Sequence, residues 1–218
     1  MVDDFKQKKT LPNIIPIFPL TGVVMFPDTY LPLNIFETRY LKMIDYAISN
    51  ENRLIGMIQP KNLNESNDDH LFYRVGCAGK IIKFEETDDN RYLITLKGLM
   101  RFNLISEKIN DQKFREANIN WENFSNDLDI NINSSDLRTL KITLKKYFQI
   151  KNIRANMDAI DTFNDYNFAD QITMICPLEN NEKQLLLETT SILKRNKLLQ
   201  TILDSYISEE NISDISKH

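Results

Sequence analysis

Two histidines, two cysteines and five glycines limit the chemistry open to this 218-residue chain. A serine–histidine–acid site needs an imidazole locked in place by packing. Here His70 ends a polar run from Lys61, and His218 is the final residue. A P-loop sets two glycines ahead of Lys and Ser or Thr so that backbone nitrogens wrap a phosphate. Gly76-Cys77-Ala78-Gly79-Lys80 is too short for that, continues into Ile81, and lies in a β run. Structural zinc needs closely spaced cysteine or histidine pairs, whereas Cys77 and Cys176 are far apart. No serine occupies a glycine-flanked elbow. Asp88 and Asp89 read as turn residues, because no further oxygen ligands gather with them. Cys77 reads as a small buried core residue; Cys176 precedes Pro177 at a helix end. No catalytic constellation emerges, and neither metal nor cofactor is expected. A hydrolase is the third reading, behind two binding roles.

The elements that would position any site divide the chain in two. From Leu11 to Phe124, short β segments alternate with turn signals. Asn13 to Phe18 is expected at a sheet edge, because Pro16 supplies no ladder donor. Thr29 to Ile35 and Arg53 to Ile58 follow. A hairpin then runs from Tyr73 to Leu96 and turns at Thr87-Asp88-Asp89-Asn90. Arg101 to Ile105 and Phe114 to Phe124 supply two more strands. Six or so such strands suggest a small curled sheet or barrel. One helix interrupts them, where Tyr40, Leu41, Ile44, Ala47 and Ile48 recur at helical spacing between Phe36 and Ser49.

Past a polar linker at 125–133 the period changes. Ser134 or Ser135 can cap a helix with Leu137, Leu140, Leu144, Tyr147 and Phe148 on one stripe. Asp165 to Cys176, Asn181 to Glu188 and Ser191 to Tyr206 read as further helices. The expected organisation is an α+β chain with a frayed 1–10 and a β subdomain at 11–124. A helical bundle at 134–206 and a polar tail at 207–218 complete it.

Composition narrows the partners. Twenty-seven basic residues against thirty-one acidic ones give a net charge of −4, which argues against coating nucleic acid by bulk electrostatics. No run approaches the roughly 20 apolar residues that span a bilayer. The N-terminus carries no apolar signal core. Two cysteines do not make a disulfide framework, so a cytoplasmic protein is expected.

Several strings then fall in a recognisable order. Leu11-Pro12, Ile17-Phe18-Pro19-Leu20, Val23-Val24-Met25-Phe26-Pro27 and Leu31 to Glu37 with Arg39-Tyr40 resemble the opening of the Lon protease N-terminal domain. The LPLNIFExRY form is similar to stand-alone members of that peptidase S16-like family. Val75 to Ile81 resembles a family strand, with Cys77 where threonine is common. Leu96 to Phe102 and Glu182-Lys183-Gln184-Leu185-Leu186-Leu187-Glu188 resemble two further segments. The resemblance implies a PUA-like β pseudo-barrel with an inserted helix, followed by an α-helical bundle. It also implies recognition of unfolded or tagged polypeptide. The ATPase and Ser–Lys peptidase modules of that family are not among these residues, so there are no catalytic positions to carry over.

The leading expectation is therefore a non-enzymatic polypeptide-binding module for substrate recognition or adaptor work, alone or with a separate ATPase or protease. Met25, Phe26 and Tyr30 are its expected contacts. They lie in a proline-bounded loop, and methionine suits promiscuous partners. That assignment requires their side chains to be exposed. Nucleic-acid binding is the alternative, using Lys80, Lys83, Arg91, Lys97 and Arg101, although strand alternation would put Lys80 and Lys83 on opposite faces. Phe84, Tyr92, Phe102 and Trp121 read as barrel core or rim, and Glu85-Glu86 as a solvated hairpin end.

Overall fold

A computed structural model describes residues 11–61, 71–128 and 137–215. The expected frayed N-terminus, His70, positions 129–133 of the linker, the Ser134 or Ser135 cap and His218 lie outside the described residues. The β elements are β1 (Ile14–Pro19), β2 (Tyr30–Ile35), β3 (Leu54–Ile58), β4 (Val75–Glu86), β5 (Tyr92–Ile109) and β6 (Arg115–Asn120), with α1 (Thr38–Ser49) after β2. They form one sheet in the order β2-β5-β4-β3-β1-β6. Because β5 also pairs with β6, the ladder β5-β4-β3-β1-β6 returns to its first strand.

What reads in the sequence as two pieces, Arg91 to Leu96 and Arg101 to Ile105, is a single 18-residue strand. Its length lets β5 serve β2 and β4 with its first part, and β4 and β6 with its second. Leu99 and Ile105 stand unopposed at two shifts in register, and Ile82 does so on β4. Such bulges bend a strand and increase its twist. Phe114 to Phe124 is strand only to Asn120; Trp121 donates its indole N–H to the Pro12 carbonyl at 3.2 Å, and Glu122–Leu128 turns as 3-10 helix.

β1 is not the edge strand its prolines suggested. It lies between β3 and β6. The Ile119 N–H donates to Asn13 O at 2.8 Å, and the register pairs Pro16 with Glu116. Alternation along an antiparallel ladder then aims residues 13, 15 and 17 at β6 and turns the Pro16 nitrogen away. On that other side, the pairing to β3 starts only at Ile17. The missing donor falls where no ladder bond is required.

The helical half comprises α2 (Arg138–Ile150), α3 (Met157–Asp161), α4 (Phe168–Ile175), α5 (Asn180–Glu188) and α6 (Ile192–Ile215). Leu140, Leu144, Tyr147 and Phe148 are buried on α2, which packs along α6. α4 and α5 pack on each other and on α6, and α5 also meets β4. Two features depart from expectation. The short α3, whose Asn156 side chain accepts the Ala159 N–H at 3.1 Å, has too few residues to show a period. The last helix runs past Tyr206 to Ile215, polar composition there notwithstanding. One core cluster is continuous from Met25, Phe26 and Leu96 to Leu144, Ile172 and Leu199. A second fills between β1, β3, β4, β5 and β6 around Ile15, Ile17, Phe102 and Ile119.

Candidate functional site

The alternation of β2 sorts its residues. Leu31, Leu33 and Ile35 pack toward the core, while Tyr30, Pro32 and Asn34 are exposed. Register carries that division across the sheet. Tyr30 faces Lys97, Pro32 faces Thr95 and Asn34 faces Leu93; on the other flank of β5, Lys83 faces Thr95 and Glu85 faces Leu93. Phe36 continues the row beside Arg91, whose guanidinium lies 5.9 Å from its ring centre. Lys97 similarly lies 5.8 Å from the Tyr30 ring. The result is an outer face bearing exposed Tyr30, Phe36 and Leu93, with Phe36 65% open to solvent.

Beyond Ile81, β4 has left β3 and pairs with β5 alone, so the β4–β5 hairpin, flanked on its other side by β2, ends as a ribbon with one open edge. Ile82 to Glu86 are all exposed. Its turn is closed by the Thr87 N–H to Arg91 O bond at 2.9 Å and the Asn90 N–H to Thr87 O bond at 3.0 Å, with Asn90 in the left-handed region. Ile82 and Phe84 add apolar surface, and the Phe84 ring meets Tyr92 edge-on at 4.9 Å. Phe84 and Tyr92 take the ribbon face opposite to that of Leu93, while Phe36 stays with the outer row of Tyr30 and Leu93; contiguous exposed apolar groups of that kind mark interaction surfaces.

Of the three expected contacts, Tyr30 alone is exposed, at 58%; Met25 and Phe26 are wholly buried. The reason is a close backbone approach. Asp28 donates its N–H to Gly98 O at 2.9 Å, and Gly98 donates to Thr29 O at 2.8 Å. The Thr29 hydroxyl donates to Phe26 O and accepts the Phe26 N–H, tightening the turn. The loop is held flat on the sheet, and its apolar side chains are driven inward, Met25 against Gly79.

The basic residues also regroup. The extra residue at Ile82 shifts the register, so Lys80 opposite Lys97 and Lys83 opposite Thr95 share the outer face instead of opposing ones. Arg101 leaves the set, because it is buried. Lys97 pairs with Asp28 at 2.8 Å, Arg91 with Asp89 at 2.7 Å and Lys83 with Glu85 at 4.0 Å. Acids of the same chain thus offset most of the positive charge a phosphate backbone would need.

Behind the outer face, polar groups join the sheet to the helices. Arg101 donates to both carboxylate oxygens of Asp127, Nε at 2.9 Å and Nη2 at 2.6 Å, and through Nη1 to the Leu187 and Thr189 carbonyls. Arg195, from α6, donates to Asp170 at 2.6 Å and also to Thr189 O. Burial pushes the Asp170 carboxyl up, and Arg195 pulls it back. Asp28 accepts from the Tyr166 hydroxyl; burial first, then Asp28, pushes that phenol up. A cavity of about 130 Å³ lies among these groups. Gln184 does not cap its helix, as a residue near the start of α5 could. It is buried, donating to Val75 O at 3.0 Å and accepting from Gln59 at 3.1 Å. Glu179 and Glu182 form the capping box, and buried Lys183 donates to Gly22 O.

The junction ties the helices to the sheet and to one another. Each arginine spends its donors on carboxylates and carbonyls. Cys77 and Cys176 are buried. Burial pushes the Cys77 thiol well up and the Cys176 thiol up to about 12, so neither ionises near neutrality. Among the described residues, no cluster of three His, Cys, Asp or Glu side chains is placed to hold a metal ion. None of their helices is long and apolar enough to cross a membrane.

A mixed α+β chain with a six-stranded sheet and this order of elements is the fold of Lon N-terminal domains. The N-terminal domain of the Mycobacterium avium complex Lon protease superposes with a TM-score of 0.60 at 16% identity, covering 88% of this chain and 98% of that one. The Lon N-terminal domain protein from Xanthomonas campestris gives 0.59 at 17% identity, with 87% and 98% covered. The family model for the ATP-dependent protease La (LON) substrate-binding domain matches residues 14–205, and the chain belongs to that family. It is 25% identical to the Lon protease of Dictyoglomus thermophilum over 88% of its own length, and 24% identical to that of Buchnera aphidicola over 94%. It spans 24% and 26% of those two relatives.

Proposed function

We propose that this chain is a non-enzymatic polypeptide-binding module, recognising unfolded or tagged segments in the cytoplasm. The observation that carries the reading is the match to a substrate-binding domain across nearly the whole chain. The outer face supports it. Tyr30, Phe36 and Leu93 present apolar groups there on a framework anchored from behind. In this reading the β part, 11–124, is a pseudo-barrel of the PUA-like type, and 134–206 is a helical bundle that braces it. An adaptor would also hand the bound segment to a separate ATPase or protease.

The test is fluorescence anisotropy of a labelled, permanently unfolded polypeptide titrated with the protein, without ATP. Saturable binding is expected, with Phe36→Ser and Leu93→Ser each weakening it about fivefold or more. No binding up to high micromolar protein overturns the reading. Affinity for single-stranded nucleic acid that falls steeply with salt, in place of polypeptide binding, would point to the outer-face lysines instead.

A further inference from the structure

The ribbon carries a feature that apolar docking alone leaves unused. Phe84 and Glu86 are two apart on β4, and Glu86 pairs in register with Tyr92. Alternation therefore sets Phe84, Glu86 and Tyr92 on one face of the ribbon, opposite to the face of Leu93 and Arg91. Phe84 is 43% exposed and its ring is held edge-on against Tyr92, whose phenol is pushed up by burial first and then by Asp45 of α1.

This corner differs from the other exposed rings of the surface. Tyr30 already has Lys97 beside it, and Phe36 has Arg91. Among the described residues no cation of the chain lies over Phe84 or Tyr92, and Glu86 has no basic partner. The ribbon's own bases are committed elsewhere, Lys83 to Glu85 and Arg91 to Asp89. Across 82–93 four acids, Glu85, Glu86, Asp88 and Asp89, face two bases, Lys83 and Arg91, leaving a net charge of 2 − 4 = −2. An aromatic pair with an uncompensated carboxylate on the same face is complementary to a basic side chain. The rings take the cation through their quadrupoles, and the carboxylate takes it by charge.

We infer that the Phe84–Tyr92–Glu86 corner receives a Lys or Arg side chain of the bound polypeptide, so that this module selects apolar segments carrying a basic residue. The inference rests on the polypeptide-binding reading and names its substrate class.

Two labelled unfolded peptides of the same apolar sequence test it, one with a central Arg and one with Gln in its place. Both are titrated by anisotropy against the full chain and its Glu86→Gln and Phe84→Leu variants. Phe84→Leu keeps the apolar bulk while removing the ring, and both positions are exposed, so folding is retained and verifiable by circular dichroism. The Arg peptide is expected to bind about five- to tenfold more tightly than the Gln peptide, the sum of an exposed cation–π contact and a surface ion pair. Each variant is expected to reduce that ratio to about two- to threefold, because the other contact remains, and Glu86→Gln to leave the Gln peptide's affinity nearly unchanged. Equal binding of the two peptides by the parent chain overturns the inference and leaves polypeptide binding standing. A ratio unaffected by either variant also overturns it. Absence of binding by both peptides removes the functional reading and this inference together.

Discussion

Gly98 lies against the carbonyl of Phe26 so closely that a Cβ at position 98 would fall 1.9 Å from the oxygen. Backbone cannot yield as a side-chain tip can. Gly98→Ala must therefore push the 26–29 turn off the sheet, breaking its bonds to Asp28 and Thr29. The expected cost is about 2–3 kcal/mol, in the upper range of overpacking substitutions, read from urea denaturation. A loss under about 0.5 kcal/mol would show that the turn is not held as described.

The three expected contacts should separate cleanly. Phe26→Ala empties a fully buried site and is expected to cost about 3–5 kcal/mol; Met25→Ala should cost about 2–5 kcal/mol. Tyr30→Ala should change stability by about 0.5 kcal/mol or less, because its ring faces solvent. Its effect belongs in binding, where a severalfold weakening for unfolded polypeptide is expected. Equal stability losses at all three positions would contradict the inward turn of Met25 and Phe26.

The Arg101–Asp127 pair is nearly sealed from water, with side-chain exposures of 3% and 8%. Asp127→Ala strands a buried guanidinium and is expected to cost about 3–5 kcal/mol by chemical denaturation. The double variant Arg101→Met with Asp127→Leu should cost less than the two single losses added, because neither charge is then left alone. Additive losses would mean that the two side chains do not act as a pair.

Much of this was legible in the residues, and the failures have physical causes. Leu31, Leu33 and Ile35 alternate with Tyr30, Pro32 and Asn34, so the outward aim of Tyr30, and of Phe36 beyond it, can be read from period alone. The fate of Met25 and Phe26 cannot, since it depends on Gly98 approaching from a strand more distant in sequence, 72 residues beyond Phe26. The same limit hid the common face of Lys80 and Lys83. Alternation holds until a bulge inserts one residue, and nothing in Lys80-Ile81-Ile82-Lys83 announces it. Arg101 looks like surface charge until Asp127, Leu187 and Thr189 are brought around it. Family strings located the domain because they sample many such long-range contacts at once.

Alkaline pH should expose the burial of Cys176. Its thiol is pushed by burial from an ordinary 9 up to about 12, so the folded chain holds that proton where the unfolded chain has released it. Between those values the native state binds more protons than the unfolded one, and stability falls as pH rises. The contribution is intact below about pH 9 and is lost progressively toward pH 12, at up to about 1.4 kcal/mol per unit for one group. Cys176→Ala removes this group while leaving the other alkaline titrations in place. In urea denaturation under reducing conditions, the advantage of the parent over the variant should hold steady from pH 7 to 8.5. It should then shrink by roughly 2 kcal/mol by pH 11. An advantage that stayed constant to pH 11 would mean that the thiol ionises alike in both states. Its packing beside Pro177 would then be far looser than 1% exposure implies.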